Sequence, residues 1–385
     1  MRIGIDCRTI LDPKSSERAG VAHYSYYLLK YLLQDDREND YVLFFPYGKE
    51  APKEFLSPRV RVVYFSKKRI PFFHSHYILA KEIAKEKLDI FHSLSGILPL
   101  WYKGKSVITI ADLAMYMNPK WFSPKKFFGD FFWRKILIPR SIKKAEKIIV
   151  ISENTKRDIT KYFHIDEKKI TVTYLGVEVE NISGEKFAEI LKKFDLADKK
   201  YFLFIGTIEP RKNIINIVNA FEEFMVQVGY GRDRTLQNDI YYFVLAGGLG
   251  WKYEPILDAI KKSSVNANIK YIGYVSAEEK SAILKNSLCF VWPSLYEGFG
   301  LPILEAMACG SPVISSNTSS IPEVAGNAAI LVDPNDESAI SKALMLVATD
   351  KNEQKKLREL GAERIKLFSW NKTARKTLDI YRALR

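Results

Sequence analysis

The chain has 385 residues and a formal net charge of +14, with 47% hydrophobic and 27% charged residues. This length exceeds the size at which a single hydrophobic core stops growing, so we expect two domains of ordinary globular composition. Three scattered cysteines argue against a disulfide framework and a cysteine zinc site, and they favour a cytoplasmic protein. We expect no membrane span, because apolar runs are short, and no signal peptide, because the first residues are already strand-like.

The positive charge is concentrated in the first half of the chain. Residues 1–190 carry 33 basic and 23 acidic side chains, a net of +10, and the remaining residues add +4. A basic surface suits nucleic acid, anionic lipid or phosphorylated substrates. The sequence has no zinc-finger spacing and no RNA-binding aromatic signature, so we expect no nucleic-acid partner.

Strands and helices alternate along the first half. The expected strands are Arg2–Asp6, Tyr41–Phe45, Val60–Tyr64, Ile90–His92, Ser106–Ile110 and Lys147–Ile151. The expected helices are Val21–Leu33, Ile78–Lys87 and Pro124–Lys144. This alternation predicts a parallel sheet with helices on both faces.

The second half repeats the alternation after a linker that we expect within Thr173–Lys186. The expected strands are Tyr201–Ile205, Tyr241–Ala246, Ile269–Ile272, Leu288–Trp292 and Ile330–Val332. The expected helices are Ile214–Val228, Tyr253–Ser263, Ala277–Asn286 and the stretch from residue 333 to the end, with a polar surface loop at Gly229–Asp239. The fold class is therefore α/β with two doubly wound, Rossmann-like domains, and ligands should bind at the carboxyl ends of the strands.

Two glutamates eight positions apart, Glu297 and Glu305, form the most informative motif. A glycine-rich loop, Gly298–Leu301, follows a buried strand, and Pro302 suits the first turn of a helix that stops at Gly310. The loop would direct backbone N–H groups and the positive end of a helix dipole at an anion. A phosphate bound at this end of the helix, together with two carboxylates that accept hydrogen bonds from sugar hydroxyls, would form a sugar-nucleotide site. The spacing alone also fits a surface helix whose acids favour its positive end.

With Ser311–Ser315 and Ile321–Val324 added, this segment resembles the donor site of retaining GT-B glycosyltransferases, specifically glycosyltransferase family 4. The resemblance implies that Glu297 holds the donor sugar and Glu305 the ribose. It also implies a GT-B architecture of two Rossmann-like domains facing a cleft. We assign 1–180 to the acceptor-side domain, 181–368 to the donor-binding domain, and 369–385 to a helix that returns to the first domain.

A second donor motif follows the strand Tyr201–Ile205. Gly206 and Thr207 lead into the basic pair Arg211 and Lys212, which the resemblance places at the donor. Negative charge that builds on the leaving phosphate needs such cations. The sequence contains no Asp-x-Asp motif, so we expect no metal and no other cofactor. The alternative for the basic pair is a solvated turn.

The segment Gly273–Val275 matches the family's contact with the base. Tyr274 and Val275 are therefore assigned to the nucleotide, with a core position as the alternative for the tyrosine. The glycine-rich stretch Gly247–Gly250 lacks the spacing of a dinucleotide fingerprint, and we interpret it as a turn that lines the cleft.

On the acceptor side, Gly20, Val21 and His23 resemble the family's loop that closes over phosphate and acceptor. His23 either contacts the acceptor or is solvated. Many relatives have His-Asp-Leu where this chain has Ala111, Asp112 and Leu113. Asp112 either binds a substrate hydroxyl or caps the following loop.

Residues 119–147 carry nine basic side chains against two acids. Among them stand the aromatics Trp121, Phe122, Phe127, Phe128, Phe131, Phe132 and Trp133. Such a segment either lies on an anionic membrane surface or packs its aromatics on the sheet with its lysines in water. Lys67–Arg69 with Pro71–Phe73 form a second, smaller patch.

The resemblance implies a metal-independent retaining transferase that moves a hexose, with mannose favoured, from GDP-mannose or a UDP-sugar to a hydroxyl of a glycan or lipid-linked acceptor. Glu297, Lys212 and Asp112 are the expected catalytic residues. The missing histidine at Ala111 leaves open a non-catalytic, sugar-nucleotide-binding paralogue. A sugar-nucleotide epimerase or a phosphorylase on the same two-domain plan is the other alternative. The expected location is the cytoplasm, either free or on the inner face of the membrane.

Overall fold

The computed structural model describes residues 1–10, 20–65, 74–122, 135–229 and 240–385. The chain forms two compact units. The first unit comprises Met1–Met117, Pro124–Gly176 and Ser369–Arg385, and the second comprises Asn118–Ser123 and Val177–Phe368. The units part between Gly176 and Val177. The expected linker, Thr173–Lys186, runs past the observed start of the next helix. That helix begins at Gly184 and is capped by the Ser183 hydroxyl.

Seven parallel strands form the sheet of the first unit. They are β1 (Arg2–Asp6), β2 (Asp40–Pro46), β3 (Val60–Phe65), β4 (Ile90–Ser93), β5 (Ser106–Ile110), β6 (Lys147–Val150) and β7 (Ile170–Val172). Their order is β3-β2-β1-β4-β5-β6-β7. Six of these strands were expected from the sequence within two residues at either end. The short β7 was missed, because three residues give no recognisable alternation.

Helices in the described part of the first unit connect these strands. They are α1 (Val21–Asp35), α2 (Leu79–Lys85), α3 (Ala114–Met117), α4 (135–144), α5 (Glu153–Phe163) and, at the C-terminus, α14 (Trp370–Arg382). A π-helical turn, His74–Ile78, precedes α2, so the helix expected from Ile78 begins differently. The expected helix Pro124–Lys144 is described only from residue 135, and residues 124–134 lie outside the described part. The sequence analysis missed α5.

The second unit has six parallel strands and eight helices in its described part. The strands are β8 (Lys200–Ile205), β9 (Tyr241–Ala246), β10 (Ile269–Tyr271), β11 (Cys289–Trp292), β12 (Val313–Ser316) and β13 (Ile330–Val332), in the order β10-β9-β8-β11-β12-β13. The helices are α6 (Gly184–Lys193), α7 (Ile214–Gln227), α8 (Glu254–Lys262), α9 (Ala277–Asn286), α10 (Leu301–Ala308), α11 (Ile321–Ala325), α12 (Glu337–Thr349) and α13 (Lys351–Ile365). In the expected loop Gly229–Asp239, residues 230–239 lie outside the described part.

Strand order reverses in the second sheet between β8 and β11. The chain runs outward from β8 through β9 to β10 and then returns to place β11 on the other side of β8. The loops after β8 and β11 therefore leave the same edge side by side, which is where open α/β sheets bind ligands. These are the two loops that carry the basic pair and Glu297.

The C-terminal helix α14 belongs to the core of the first unit. Trp370, which is 2% exposed, stacks on Tyr27 of α1 with a centroid distance of 5.3 Å. Thr373 Oγ1 donates to the carbonyl oxygen of Tyr174 at 2.6 Å. Burying a large aromatic side chain contributes about 3 kcal/mol, so α14 is an integral part of this unit.

A search of the described residues for a helix with enough apolar length to cross a bilayer found none.

Candidate functional site

The loops after β8, β9 and β10 are joined at the carboxyl edge of the second sheet. The Gly247 amide donates to the Gly273 carbonyl at 2.6 Å, and the Ile208 amide donates to the Gly248 carbonyl at 2.9 Å. Gly247 has φ +135°, and a Cβ there would lie 1.9 Å from the Gly206 oxygen, so only glycine fits. The stretch Gly247–Gly250 is thus a turn, as predicted, and α8 begins later, at Glu254.

Arg211 and Lys212 lie in a 3₁₀ turn, Pro210–Lys212, that opens the loop after β8 into α7. Asn213 follows in the left-handed region with φ +62°, and its side-chain amide donates to the Pro293 carbonyl at 3.1 Å. This bond ties the turn to the loop after β11. Lys212 is only 7% exposed, which contradicts the alternative of a solvated basic turn.

The basic pair contacts Glu297 directly. Lys212 Nζ donates to Glu297 Oε1 at 2.6 Å, and Arg211 Nη1 donates to Glu297 Oε2 at 3.0 Å. Glu297 is 7% exposed. Arg211 also donates through Nη2 to Glu209 Oε1 at 2.8 Å and through Nη1 to the Tyr296 carbonyl at 2.8 Å. Glu209 is a fourth charged member that the sequence analysis did not assign.

An indole ring forms the floor under the lysine. Lys212 Nζ lies 4.4 Å from the ring centroid of Trp292, which stacks on Phe204 at 4.9 Å. A Cβ at Gly206 would lie 2.5 Å from that indole, so a glycine at the end of β8 makes room for the ring. The cation–π contact adds to the ion pair in fixing the ammonium group.

The protonation preferences of this cluster follow from burial and neighbouring charge. Burial alone would raise the pKa of Glu297, but Lys212 and then Arg211 hold it at about 2, so the carboxylate is ionised at neutral pH. Burial and the neighbouring Arg211 lower the pKa of Lys212. Burial raises the pKa of Glu209 against the opposing effect of Arg211.

The N-terminus of α10 supplies further anion-binding groups beside Glu297. Gly300 precedes the helix with φ +107°, no side chain caps it, and Pro302 lies in its first turn. Pro302 has no N–H and the Ile303 amide donates to the Gly300 carbonyl at 3.0 Å, so the backbone amides that remain for an anion belong to the glycine-rich loop Gly298–Leu301. One turn further, Glu305 is 6% exposed, and its Oε1 accepts from Lys280 Nζ of α9 at 2.5 Å. The sequence analysis did not identify Lys280, because its contact with Glu305 depends on the packing of two helices.

The segment assigned to the base lies after β10. Tyr274 is 54% exposed, so the alternative of a core position for it is wrong. Val275 is buried, and Ser276 begins α9 with a capping box formed with Glu279. Tyr274 thus presents an exposed ring just before the capped start of α9.

The acceptor-side residues assigned from the sequence belong to two parts of the first unit, the start of α1 and the loop after β5. Gly20, with φ +55°, is the N-cap of α1, and Val21 is the first residue of that helix. The His23 ring lies against Tyr27 at 4.5 Å, so it is not simply solvated. Asp112 accepts the Ala114 amide at 2.9 Å through Oδ1, which agrees with the capping alternative.

Two aromatics of the basic segment pack within the second unit. Trp121 lies 6.4 Å from Tyr296, and Phe122 stacks on Trp251 at 5.4 Å. These contacts favour the packing alternative for this part of the segment. The other five aromatics, Phe127, Phe128, Phe131, Phe132 and Trp133, and the smaller patch Lys67–Arg69 with Pro71–Phe73 lie outside the described residues.

Two Rossmann-like units, each with a parallel sheet, form the architecture of the GT-B class of glycosyltransferases. Residues 18–181 match the family model described as Glycosyltransferase Family 4, and residues 186–364 match the model for glycosyl transferases group 1. The chain belongs to glycosyltransferase family 4 and is a glycosyltransferase. The GT-B assignment made from the sequence is confirmed.

The similarity of the chain to known proteins supports this family assignment. The chain is 32% identical over 297 residues to O-antigen chain mannosyltransferase B of Escherichia coli, covering 77% of this chain and 74% of that protein. It is 26% identical over 237 residues to O-antigen chain mannosyltransferase RfbU of Salmonella typhimurium, covering 62% and 59%. Sucrose-phosphate synthase of Thermosynechococcus elongatus has the same fold, with a TM-score of 0.77, 20% identity and coverage of 100% and 98%.

Proposed function

We propose that this enzyme transfers mannose from GDP-mannose to a hydroxyl of a polysaccharide or lipid-linked glycan, with retention of configuration and without a metal ion. The observation that carries this proposal is the buried contact of Lys212 and Arg211 with Glu297 beside the start of α10. The names of the relatives, both O-antigen chain mannosyltransferases, support mannose and a polysaccharide product.

Each donor residue has a role in this proposal. Arg211, Lys212 and the backbone amides of Gly298–Leu301 bind the diphosphate, and they offset the negative charge that grows on it as the glycosidic bond breaks. Glu297 accepts hydrogen bonds from the hexose hydroxyls, for which its low pKa keeps it ionised. Glu305, oriented by Lys280, binds the ribose. Gly206 and Thr207 line the turn below the phosphates, and Tyr274 with Val275 contacts the base.

The reaction proceeds on one face of the sugar. The bond between the anomeric carbon and the leaving phosphate oxygen breaks, and the acceptor oxygen forms its bond to the same face. The leaving phosphate takes the proton of the acceptor hydroxyl, so no protein base is required. Positioning and charge stabilisation then supply most of the rate. In the first unit, Gly20, Val21, His23 and Asp112 are assigned to the acceptor, with Asp112 binding one hydroxyl.

A screen of GDP-mannose, UDP-glucose, UDP-galactose and UDP-N-acetylglucosamine for thermal stabilisation and transfer tests the donor. GDP-mannose should give the largest shift, because a ligand bound only by the folded state raises the melting temperature. Glu297→Gln should lower its transfer by about 100-fold while leaving the melting temperature without ligand close to that of the wild type. Transfer from a UDP-sugar alone would overturn the donor assignment, and unchanged transfer by Glu297→Gln would remove this residue from the site.

The metal and stereochemical parts have separate readouts. The absence of an Asp-x-Asp motif and the presence of two cations at the site support metal-independent transfer. Transfer should persist in excess EDTA, and restoration of lost activity by manganese would contradict this part of the proposal. Nuclear magnetic resonance of the first-formed product should give the anomeric configuration of the donor. Epimerised donor without transfer would favour the epimerase. No turnover of the donor at all would favour the non-catalytic paralogue.

We further propose that the first unit lies on an anionic membrane surface, which brings the enzyme to lipid-linked acceptors at the cytoplasmic face. Helix α4 borders a groove of about 630 Å³ lined by Ile136, Pro139, Arg140, Lys143 and Lys144. Arg140 Nη2 donates to the Leu100 carbonyl at 3.5 Å, next to Trp101, which is 53% exposed. An exposed tryptophan among cations is typical of interfacial binding.

Flotation with phosphatidylglycerol vesicles tests this surface. Arg140→Glu with Lys143→Glu should weaken binding by roughly tenfold or more, since each basic residue contributes on the order of 1 kcal/mol near an anionic surface. The double variant Lys261→Glu with Lys262→Glu, at the end of α8 in the second unit, is the control with the same change in charge. An equal loss of vesicle binding in the two double variants would contradict the assignment. So would a wild-type protein that does not bind the vesicles even at low salt.

A further inference from the structure

A run of hydroxyl side chains, Ser315 to Ser320 without Asn317, lies against the loop that carries Glu297. It begins at the end of β12 and leads directly into α11. Its hydroxyls donate to loop carbonyls: Ser315 to Trp292 at 2.6 Å, Ser316 to Ser294 at 2.6 Å, and Ser320 to Glu297 and Phe299 at 2.9 Å each. We call residues 315–320 the hydroxyl segment. It provides hydrogen-bond donors for backbone carbonyl groups at the end of β11 and in the loop that follows, where the pairing of the sheet has ended.

Ser319 differs from its neighbours in two respects. Its φ is +53°, in the left-handed region that costs free energy for a residue with a Cβ. Its hydroxyl oxygen is an acceptor, because the backbone amide of Glu297 donates to it at 3.0 Å. A glycine would adopt this backbone without strain but would leave that amide without the hydroxyl.

The hydroxyl segment therefore holds Glu297 by both sides of its backbone. Ser319 accepts from its N–H, and Ser320 donates to its C=O. The carboxylate is held separately by Lys212 and Arg211. With backbone and side chain both fixed, the carboxylate has little freedom to rotate away from a ligand. Strained, non-glycine backbone at such a place indicates a function for the side chain.

We propose that Ser319 is a positioning residue for sugar transfer: its hydroxyl fixes the backbone of Glu297, and with it the orientation of the carboxylate toward the donor hexose. This inference rests on the proposed function, in which Glu297 holds the sugar. Ser319 acts through Glu297 and touches neither substrate nor leaving group. Small displacements of a group that positions a substrate lower kcat strongly, which gives the hydroxyl a measurable effect.

Two substitutions separate the hydroxyl from the backbone strain. Ser319→Gly removes the hydroxyl, and with it the bond to the Glu297 amide, but relieves the backbone strain. Ser319→Ala removes the hydroxyl and keeps the strain, so it should melt below the glycine variant. If the hydroxyl positions Glu297, both variants lose roughly tenfold in kcat with GDP-mannose, the loss expected for one hydrogen bond. The KM for GDP-mannose should change by less than about threefold, because the contacts of Lys212 and Arg211 persist.

A matched control is Ser183→Gly. Ser183 also accepts a backbone amide, that of Lys186 at 3.4 Å, at the start of α6 in the same unit. This variant loses the same type of bond and should keep wild-type kcat. A Ser319→Gly variant with wild-type kcat, or kcat losses that follow the melting temperatures of the two variants, would overturn the inference.

The failure of this inference is distinct from that of the proposed function. If Glu297→Gln abolishes transfer and Ser319→Gly does not impair it, Glu297 remains the sugar ligand and Ser319 has no positioning role. If Glu297→Gln transfers at the wild-type rate, the proposed function itself fails, and with it the basis of the Ser319 assignment.

Discussion

Each unit buries a network of four polar side chains, and the two networks differ in charge. In the second unit, Glu209, Arg211, Lys212 and Glu297 are joined by ion pairs of 2.6–3.0 Å. In the first unit, Tyr24, Thr109, His92 and Tyr381 are joined by bonds of 2.6–2.9 Å. Burial lowers the pKa of His92 to about 3, so the four groups are neutral at pH 7.

The difference indicates what each network is for. Burying ions costs several kcal/mol each, and their mutual attraction often fails to repay it, so a buried ionic cluster is poor evidence for stability. Such a cluster is useful where a charged ligand must be bound away from water. A neutral network costs less to bury and can join elements of the fold. Here it joins α1 and α14 to the sheet of the first unit.

The largest test of this comparison is Lys212→Ala in the ionic network. Loss of the ammonium group removes charge stabilisation from the leaving phosphate, so kcat should fall by about 10²–10³-fold. The melting temperature should also fall, because the buried Glu297 keeps only Arg211 as its partner, so kcat is compared per folded molecule. Steady-state kinetics and thermal unfolding measure the two quantities.

The control for this variant is Lys199→Ala in the same unit, whose lysine pairs with the exposed Asp195. It removes the same charge from a surface position and should keep wild-type kcat. If Lys212→Ala unfolded the protein and retained activity per folded molecule, the network would be structural and the comparison would fail.

In the neutral network, the variant to compare is Tyr381→Phe. It removes the hydroxyl that lies 2.6 Å from His92 Nδ1 and leaves a buried ring nitrogen unsatisfied. We expect a loss of about 1–3 kcal/mol in the free energy of unfolding and an unchanged kcat. Tyr162→Phe, at an exposed tyrosine of the same unit, is the control and should change neither. A drop in kcat beyond that explained by unfolding would place the neutral network in catalysis.

Eleven of the thirteen strands in the described part of the chain were predicted, because buried parallel strands are continuous apolar runs that need little context, whereas the short strands β7 and β12 were missed. β1, β5, β9 and α9 were predicted with the bounds that the structure has. Motif context likewise brought Lys212 and Glu297 to one place, 85 positions apart in the chain. Both loops leave adjacent strands at the switch point, which strand order alone implies.

The remaining contacts depend on packing that leaves no local pattern. Glu209 precedes a proline and gives no signal of burial, yet it is 1% exposed. Lys280 is one of several lysines on helices, and its contact with Glu305 depends on how α9 packs against α10. The left-handed backbone of Ser319 could not be read from a serine, since that conformation is rare outside glycine and asparagine.

The two networks differ in the pH at which each loses its contribution to the stability of the folded protein. The pKa of His92 is about 3 in the folded protein and near its ordinary 6.5 when unfolded. Below pH 6.5 the unfolded chain therefore binds a proton that the folded chain does not, and stability falls as the pH falls toward 3. His76, whose pKa burial and Arg8 lower to about 4, acts in the same direction. Glu297, with a pKa of about 2 against 4.5, loses its contribution only below pH 4.5.

Between pH 6.5 and pH 5.5 the first unit should therefore weaken before the second does. His92 accounts for about 1 kcal/mol over that unit of pH, because the unfolded imidazole goes from about half to about nine-tenths protonated. Hydrogen exchange followed by mass spectrometry should show faster exchange in β4 and β5 and unchanged protection in β8 and β11, if the units open separately. His92→Gln should reduce this acid sensitivity, while His164→Asn, at the end of α5, should leave it intact. Equal acceleration in both sheets would contradict this prediction. It would mean that protonation of His92 destabilises the two units together and not the first unit alone.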